Sequence, residues 1–235
     1  MKVIKLVLFS FIIIFASCKK RVIVEDISGF RMVSINDSKN KDEHLILDIR
    51  SNEDYKKGHL EYALNIPMDE LKVRVKEIED LKHLPVYIYG NNADESFASA
   101  KILVENNFEN IFNAEGTDEY LYPFVHFNTI RVYELRNNPA LNDYFLIDYR
   151  TRTSYQAEHF KASVNISIGE ISTNLNLLPK NKNKHIIMYC NTGITSTWGA
   201  KELIELGYKN VSVILEGAIS ETFIKEMDLD NESKN

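Results

Sequence analysis

Short apolar runs alternate along the chain with longer stretches whose apolar residues recur at helical spacing. The runs LILDI (45–49) and VYIY (86–89) have almost no polar interruption, and an amphipathic stretch near 95–106 follows the second of them. Apolar strands without alternation are typical of parallel sheets that helices cover on both faces. The order strand–helix–strand–helix–strand therefore predicts an α/β fold with a parallel sheet flanked by helices.

The same pattern occurs twice. LILDIRSNEDYKKGHLEYALNIP (45–67) is answered by FLIDYRTRTSYQAEHFKASVNI (145–166), and residues 86–110 are answered by 186–210, each at an offset of 100. The shared positions include Asp48 and Asp148, Arg50 and Arg150, Tyr55 and Tyr155, His59 and His159, and Asn65 and Asn165. A period this long indicates a duplicated domain rather than a short-repeat solenoid.

The repeat sets the expected domain bounds. We expect a first domain over 30–125, a second over 128–228 and a tail over 229–235, with the boundary after LYPF, near 122–130. The second domain begins with an echo of the first, since FRMV at 30–33 resembles IRVY at 130–133. Two tandem α/β domains fit a chain of 235 residues.

The N-terminal segment has a different residue pattern from the two repeats. Lys2 and Lys5 precede an apolar run over 6–15, after which come Ala16, Ser17 and Cys18. These proportions predict a signal peptide over 1–17, too short for a comfortable membrane span. FASC resembles the lipobox of bacterial lipoproteins, which implies acylation of Cys18, a tether over 18–29 and lipid anchoring in the bacterial cell envelope, on the periplasmic face or the cell surface. A plain signal peptide and a single anchor helix are the alternatives.

Charge and ligand spacing exclude several functions. The formal net charge is −6, and no basic helix or aromatic-basic stripe argues for a nucleic-acid partner. The six histidines are scattered and the two cysteines lie far apart, so the sequence predicts no metal site, and it suggests no cofactor. If Cys18 is acylated, the one remaining thiol is Cys190.

With both copies in view, the residues resemble rhodanese domains over about 30–225. The entry motif of that family is met by Asp48, Arg50, Tyr55, Gly58, His59, Ala63, Asn65, Ile66 and Pro67. YCNTGITS (189–196) and LGYKNVSVILEG (206–217) resemble its active-site half. The resemblance implies a sulfurtransferase with a cysteine persulfide, and two tandem domains, the first of them silent, resemble the thiosulfate and 3-mercaptopyruvate sulfurtransferases.

The two copies differ where this chemistry would take place. Gly90 stands in the first copy at the position of Cys190, so the first domain is expected to be inactive. Asp94 and Glu95 add two negative charges to the first loop, near the expected path of an anionic substrate. The second domain is therefore expected to be the catalytic one.

The residues around Cys190 suit a reactive thiolate. HIIMY (185–189) predicts a strand and TSTWGAKELIEL (195–206) a helix, which leaves a tight turn at the helix N-terminus. Backbone N–H groups and the helix dipole at such a turn favour a thiolate and an anionic persulfide. The residues expected to form this anion cradle are Asn191, Thr192, Gly193, Ile194, Thr195 and Ser196.

Substrate binding is the more open question. Arg150 matches the substrate-anion arginine of the family, although Arg50 mirrors it, and Arg152 is a second candidate cation without a counterpart in the first copy. His59 and His159 occur in both copies, including the copy without a thiol, so we interpret them as scaffold. One or two arginines beside a neutral loop favour 3-mercaptopyruvate, with one carboxylate, over thiosulfate.

The predicted function is transfer of sulfur from 3-mercaptopyruvate or thiosulfate to a thiol or cyanide acceptor. A phosphatase with Cys-x5-Arg is excluded, because Ser196 stands where its arginine would be. A non-enzymatic persulfide carrier or a surface interaction module on the same scaffold stays open.

Overall fold

The computed structural model describes residues 22–38, 41–137, 143–161, 163–220, 223–224 and 229–230. The chain divides into two compact units, Met1–Phe124 and Val125–Asn235. The predicted signal peptide and Cys18 lie outside the described residues. Among the described helices, none is long and apolar enough to cross a membrane.

The first unit is a five-stranded parallel sheet with helices. Its strands are β1 (Val24–Ile27), β2 (Leu45–Asp48), β3 (Leu64–Asn65), β4 (Val86–Tyr89) and β5 (Ile111–Ala114). Its α-helices are α1 (Gly29–Asn36), α2 (Asn52–Lys57), α3 (Met68–Arg74) and α4 (Ala93–Glu105), with 3₁₀ turns at Lys41–Glu43 and Val75–Leu81. The strand order is β1-β5-β4-β2-β3, and every pairing is parallel.

The second unit repeats this sheet. Its strands are β6 (Asn128–Ile130), β7 (Tyr144–Asp148), β8 (His159–Phe160), β9 (Val164–Asn165), β10 (His185–Tyr189), β11 (Val211–Ile214) and β12 (Leu229–Asp230). Its α-helices are α5 (Val132–Asn137), α6 (Arg152–Ala157) and α7 (Thr195–Glu205), with a 3₁₀ turn at Leu175–Leu177. The main sheet has the order β6-β11-β10-β7-β9, and β8 and β12 form a small antiparallel pair.

The apolar runs form the central strands, as their composition requires. All four residues of β2 are buried, and so are the last four residues of β10, because each strand is covered on both faces. Helix α7 contacts β10 and β11 through a face that includes Gly199, Ala200 and Leu203. The predicted α/β class and parallel sheets are confirmed.

Two of the expected bounds need correction. Part of the stretch assigned to a tether forms β1, which pairs in register with β5 and buries Val24 and Ile27. Part of the stretch assigned to a tail forms β12, which pairs with β8. Edge strands of four and two residues are too short to give a periodic signal of their own.

Candidate active site

Cys190 lies directly after β10, at the carboxyl edge of the second sheet. Parallel α/β sheets bind ligands at this edge. The residue is 1% exposed, and its thiol is free. Its backbone is fixed from both neighbouring strands, because Tyr149 N donates to Tyr189 O at 2.9 Å and Ala218 N donates to Cys190 O at 2.9 Å.

The loop after Cys190 is tightly held. Gly193 has a φ of +78°, a conformation that residues with a side chain rarely adopt. Gly217 packs directly against the loop, since a Cβ there would lie 1.9 Å from Asn191 O. The close approach explains why glycine stands at this position, and at its counterpart Gly116, in both copies.

Three residues of the loop, Thr192, Thr195 and Ser196, provide hydrogen bonds that affect the pKa of the Cys190 thiol. Ser196 N donates to the Sγ of Cys190 at 3.4 Å, and the Ser196 hydroxyl lies 3.5 Å from the same atom. Burial by itself raises the pKa of the Cys190 thiol. Hydrogen bonds from the Thr195 and Ser196 side chains and from the Ser196 and Thr192 backbones outweigh this effect, so that the pKa lies below its ordinary value.

Three further backbone N–H groups of the loop have no acceptor in the described part of the chain. Within the part of the chain that the structure describes, the backbone N–H groups of Asn191, Gly193 and Thr195 make no hydrogen bond. Helix α7 begins at Thr195, and its N-cap residue Ile194 gives no side-chain cap. The positive end of the helix and these donors together favour negative charge beside Cys190.

The Arg150 side chain is held by hydrogen bonds to residues of its own domain. Its guanidinium contacts the buried Asp148 carboxylate at 2.7 Å and donates to Glu158 O at 2.5 Å. The Tyr189 hydroxyl donates to the same carboxylate at 2.7 Å. The first unit has the equivalent network among Asp48, Arg50 and Tyr89. Because the network occurs in both copies and does not depend on a thiol, it favours a scaffold role for Arg150 over the predicted role in substrate binding.

The other predicted side chains lie outside the loop's hydrogen bonds. Arg152 is exposed at the first position of α6. The ring of His159 stacks on Tyr155 with centroids 3.8 Å apart, and His59 stacks on Tyr55 at the same distance. The histidine contacts are those of a repeated scaffold element. No cluster of three or more metal-ligating side chains occurs within the described ranges.

In the first unit, the carboxylates of Glu95 and Glu119 accept hydrogen bonds from the backbone of the equivalent loop. Glu95 accepts from the backbone N–H of Asn91 at 3.3 Å and from the Asn91 side chain at 3.0 Å. Glu119 accepts from the N–H groups of Ala93 at 3.1 Å and Gly116 at 2.6 Å. A Cβ on Gly90 would lie 2.7 Å from Ile49 Cδ1. The loop therefore lacks a nucleophile, and its donors are already engaged.

Sequence reasoning missed this use of Glu119 and the packing of Gly217. Both lie after the last strand of their sheet, some 25 residues from the loop that they contact. The one available signal was the repeated Glu-Gly pair at 115–116 and 216–217.

Comparison with known proteins identifies the family. The model of the Rhodanese-like domain matches residues 34–117 and 131–222, well over half of the chain. The chain belongs to the rhodanese-like domain family, as the resemblance of the two copies predicts.

Individual relatives share parts of the chain. It is 31% identical over 172 residues to the tRNA uridine(34) hydroxylase of Wigglesworthia glossinidia brevipalpis, which covers 68% of this chain and 51% of that protein. It is 34% identical over 83 residues to the thiosulfate sulfurtransferase PspE of Escherichia coli K12, covering 35% of this chain and 79% of that protein. The chain spans about half the length of the first curated relatives that it matches.

Among solved structures, the thiosulfate sulfurtransferase of Pseudomonas aeruginosa is similar over 88% of this chain and 43% of its own. The TM-score is 0.40 and the sequence identity 15%.

Proposed function

We propose that the second domain is a sulfurtransferase that moves a sulfur atom from 3-mercaptopyruvate or thiosulfate to a thiol or cyanide acceptor. The observation that carries the proposal is the setting of Cys190. Its sulfur accepts a hydrogen bond from the Ser196 N–H, and hydrogen bonds from Thr195 and Ser196 lower its pKa. Among the residues that the structure describes, the N–H groups of Asn191, Gly193 and Thr195 in the same loop make no hydrogen bond. A thiol that serves only for packing has no use for donors that stabilise its anion.

The reaction follows from this setting. The Cys190 thiolate attacks the transferable sulfur of the donor, and an S–S bond forms while the bond from that sulfur to the rest of the donor breaks. The leaving group takes the electron pair, as sulfite from thiosulfate or as the enolate of pyruvate, which then gains a proton from solvent. Attack by the acceptor on the outer sulfur releases the Cys190 thiolate and closes the cycle.

The loop of the first domain supports the proposal that only the second domain is catalytic. Gly90 provides no nucleophile, and Glu95 and Glu119 occupy the donors that would stabilise an anion. We therefore assign turnover to the second domain alone.

Two groups of relatives suggest different chemistry. PspE is named as a thiosulfate sulfurtransferase, and three relatives are named tRNA uridine(34) hydroxylase. This chain covers 51%, 33% and 26% of the hydroxylases. A net charge of −6 gives no electrostatic basis for binding tRNA, so we favour sulfur transfer.

We also propose that the protein is a lipoprotein of the bacterial cell envelope, anchored through Cys18. The support is the sequence itself, in which two lysines, an apolar run, small residues and a cysteine follow in the order of a lipoprotein signal.

The proposal is tested by mass spectrometry of the full-length chain after incubation with each donor. We expect the mass of one added sulfur on Cys190 and turnover when cyanide or a dithiol is supplied. An adduct without turnover favours the persulfide carrier. No adduct from either donor rules out the sulfurtransferase.

A further inference from the structure

The two copies share one backbone frame behind the loop. Thr117 N donates to Gly90 O at 3.0 Å, as Ala218 N donates to Cys190 O at 2.9 Å. One residue further on, Asp118 N donates to Asn91 O at 2.8 Å and Ile219 N to Asn191 O at 3.3 Å. Gly116 and Gly217 therefore hold the same place against the loop in the two copies.

In the first copy this place is occupied by a carboxylate. The Oε2 atom of Glu119 accepts from the N–H groups of Ala93 and Gly116. Glu119 N itself donates to Gly116 O at 3.1 Å in a tight turn. One oxygen of a carboxylate thus bridges the loop and the segment behind it.

In the second copy the equivalent donors have no acceptor among the residues that the structure describes. Ser220 replaces Glu119 and keeps the turn, since Ser220 N donates to Gly217 O at 2.9 Å, but its hydroxyl accepts from Phe223 N. Gly193 and Gly217 are buried, and neither N–H makes a hydrogen bond to any residue that the structure describes. Buried backbone N–H groups are usually paired, and in the first copy one carboxylate oxygen accepts from both of the equivalent donors.

We infer that the N–H groups of Gly193 and Gly217 bind the carboxylate of the sulfur donor, in the place that Glu119 fills in the first copy. The inference rests on the proposed function for the identity of the donor. With these two N–H groups the site can bind an anion even though the Arg150 side chain is already paired with the Asp148 carboxylate. It also explains why the donors are backbone groups, since a Cβ on Gly217 would lie 2.3 Å from Thr192 Cα and leaves no room for a side chain.

The test restores the missing carboxylate. Ser220→Glu supplies an internal ligand for the Gly217 N–H, whereas Ser220→Gln is a neutral control of nearly the same size that equally loses the contact to Phe223 N. The readout is the rate at which neutral iodoacetamide alkylates Cys190 in the full-length chain, with and without pyruvate as an unreactive carboxylate. Alkylation is followed by mass on the Cys190 peptide, so that it reports binding without requiring turnover.

We expect pyruvate at about ten times its dissociation constant to slow alkylation about tenfold in the unmodified chain and in Ser220→Gln. Ser220→Glu should lose this protection. Equal protection of both variants, or no protection of the unmodified chain, overturns the inference. A chain that pyruvate protects but that forms no persulfide with either donor retains the carboxylate site and refutes the proposed function, so the two failures are distinguishable.

Discussion

The backbone N–H of Ser196 lies 3.4 Å from the Sγ of Cys190, so the first turn of α7 contacts the sulfur directly. A donor in the backbone cannot rotate away, and it serves the thiolate better than the thiol. The neighbouring hydroxyls of Thr195 and Ser196 strengthen this preference. We therefore expect the pKa of Cys190 to depend on how helix α7 begins.

Removal of the Thr195 hydroxyl tests that dependence. In Thr195→Val the pKa of Cys190 should rise, because a hydrogen bond to the thiolate is lost. A higher pKa leaves less thiolate at neutral pH, so alkylation there should slow by about two- to tenfold. The measurement is the pH profile of iodoacetamide alkylation, whose rise should move to higher pH.

Thr197→Val is the matched control. Its hydroxyl donates to Ile194 O at 2.8 Å and makes no bond to the sulfur. The alkylation profile of this variant should stay in place. If both variants shift alike, helix stability and not contact with sulfur sets the pKa.

Arg150 should matter for stability. Arg150→Ala leaves the fully buried carboxylate of Asp148 without its cation, and breaking such a pair costs about 3–5 kcal/mol. Arg152→Ala removes an exposed side chain and should change the free energy of unfolding by less than about 0.5 kcal/mol. Urea unfolding of both variants gives the comparison.

Arg50→Ala provides an internal reference for this prediction. It breaks the same network in the first domain, with Asp48, and should destabilise its own unit to a similar degree. If Arg150→Ala instead raises the KM for the donor at unchanged stability, Arg150 binds substrate.

A cysteine in the first loop should not restore activity. In the Cys190→Ser background, Gly90→Cys places a thiol beside Ile49 in a loop whose N–H groups are engaged by Glu95 and Glu119. We expect no persulfide and no turnover, by mass spectrometry and initial rates. Appreciable turnover of the double variant would show that the first loop is competent.

Donor choice follows from the charge of the site. The loop residues Asn191, Thr192, Ile194 and Thr195 are neutral. Their hydrogen-bond donors can balance the single carboxylate charge of 3-mercaptopyruvate better than the two negative charges of thiosulfate. We expect a higher kcat/KM for 3-mercaptopyruvate. Initial rates with both donors under the same conditions decide the matter, and a clear advantage for thiosulfate contradicts it.

The proposed anchor gives a prediction about location. Cys18→Ser should release the protein from washed membranes into the soluble exported fraction, since acylation needs the thiol. The persulfide activity of the released protein should be unchanged, because Cys190 is untouched. Retention of the variant in membranes at the level of the unmodified chain argues against the lipoprotein.

The sequence alone was sufficient for the fold class and the repeat. Apolar runs such as LILDI and HIIMY are buried on both faces, and this double burial leaves a continuous hydrophobic signal that periodicity detects. The constant offset of 100 marked two domains of one family, and the family match confirms that reading. The short edge strands β1 and β12 gave no such signal.

Tertiary structure decided what each polar residue does. The sequence suggests that Arg150 is a cation that binds substrate. In the folded chain, its guanidinium pairs with the fully buried carboxylate of Asp148, which would be unfavourable there without a cation. Glu119 and Gly217 are distant in sequence from the loops that they contact. Donors and acceptors that are distant in sequence meet only in the folded chain. The structure therefore shows what the sequence does not: Glu95 and Glu119 accept from the N–H groups of the first loop, whereas the N–H groups of Asn191, Gly193 and Thr195 have no acceptor among the described residues.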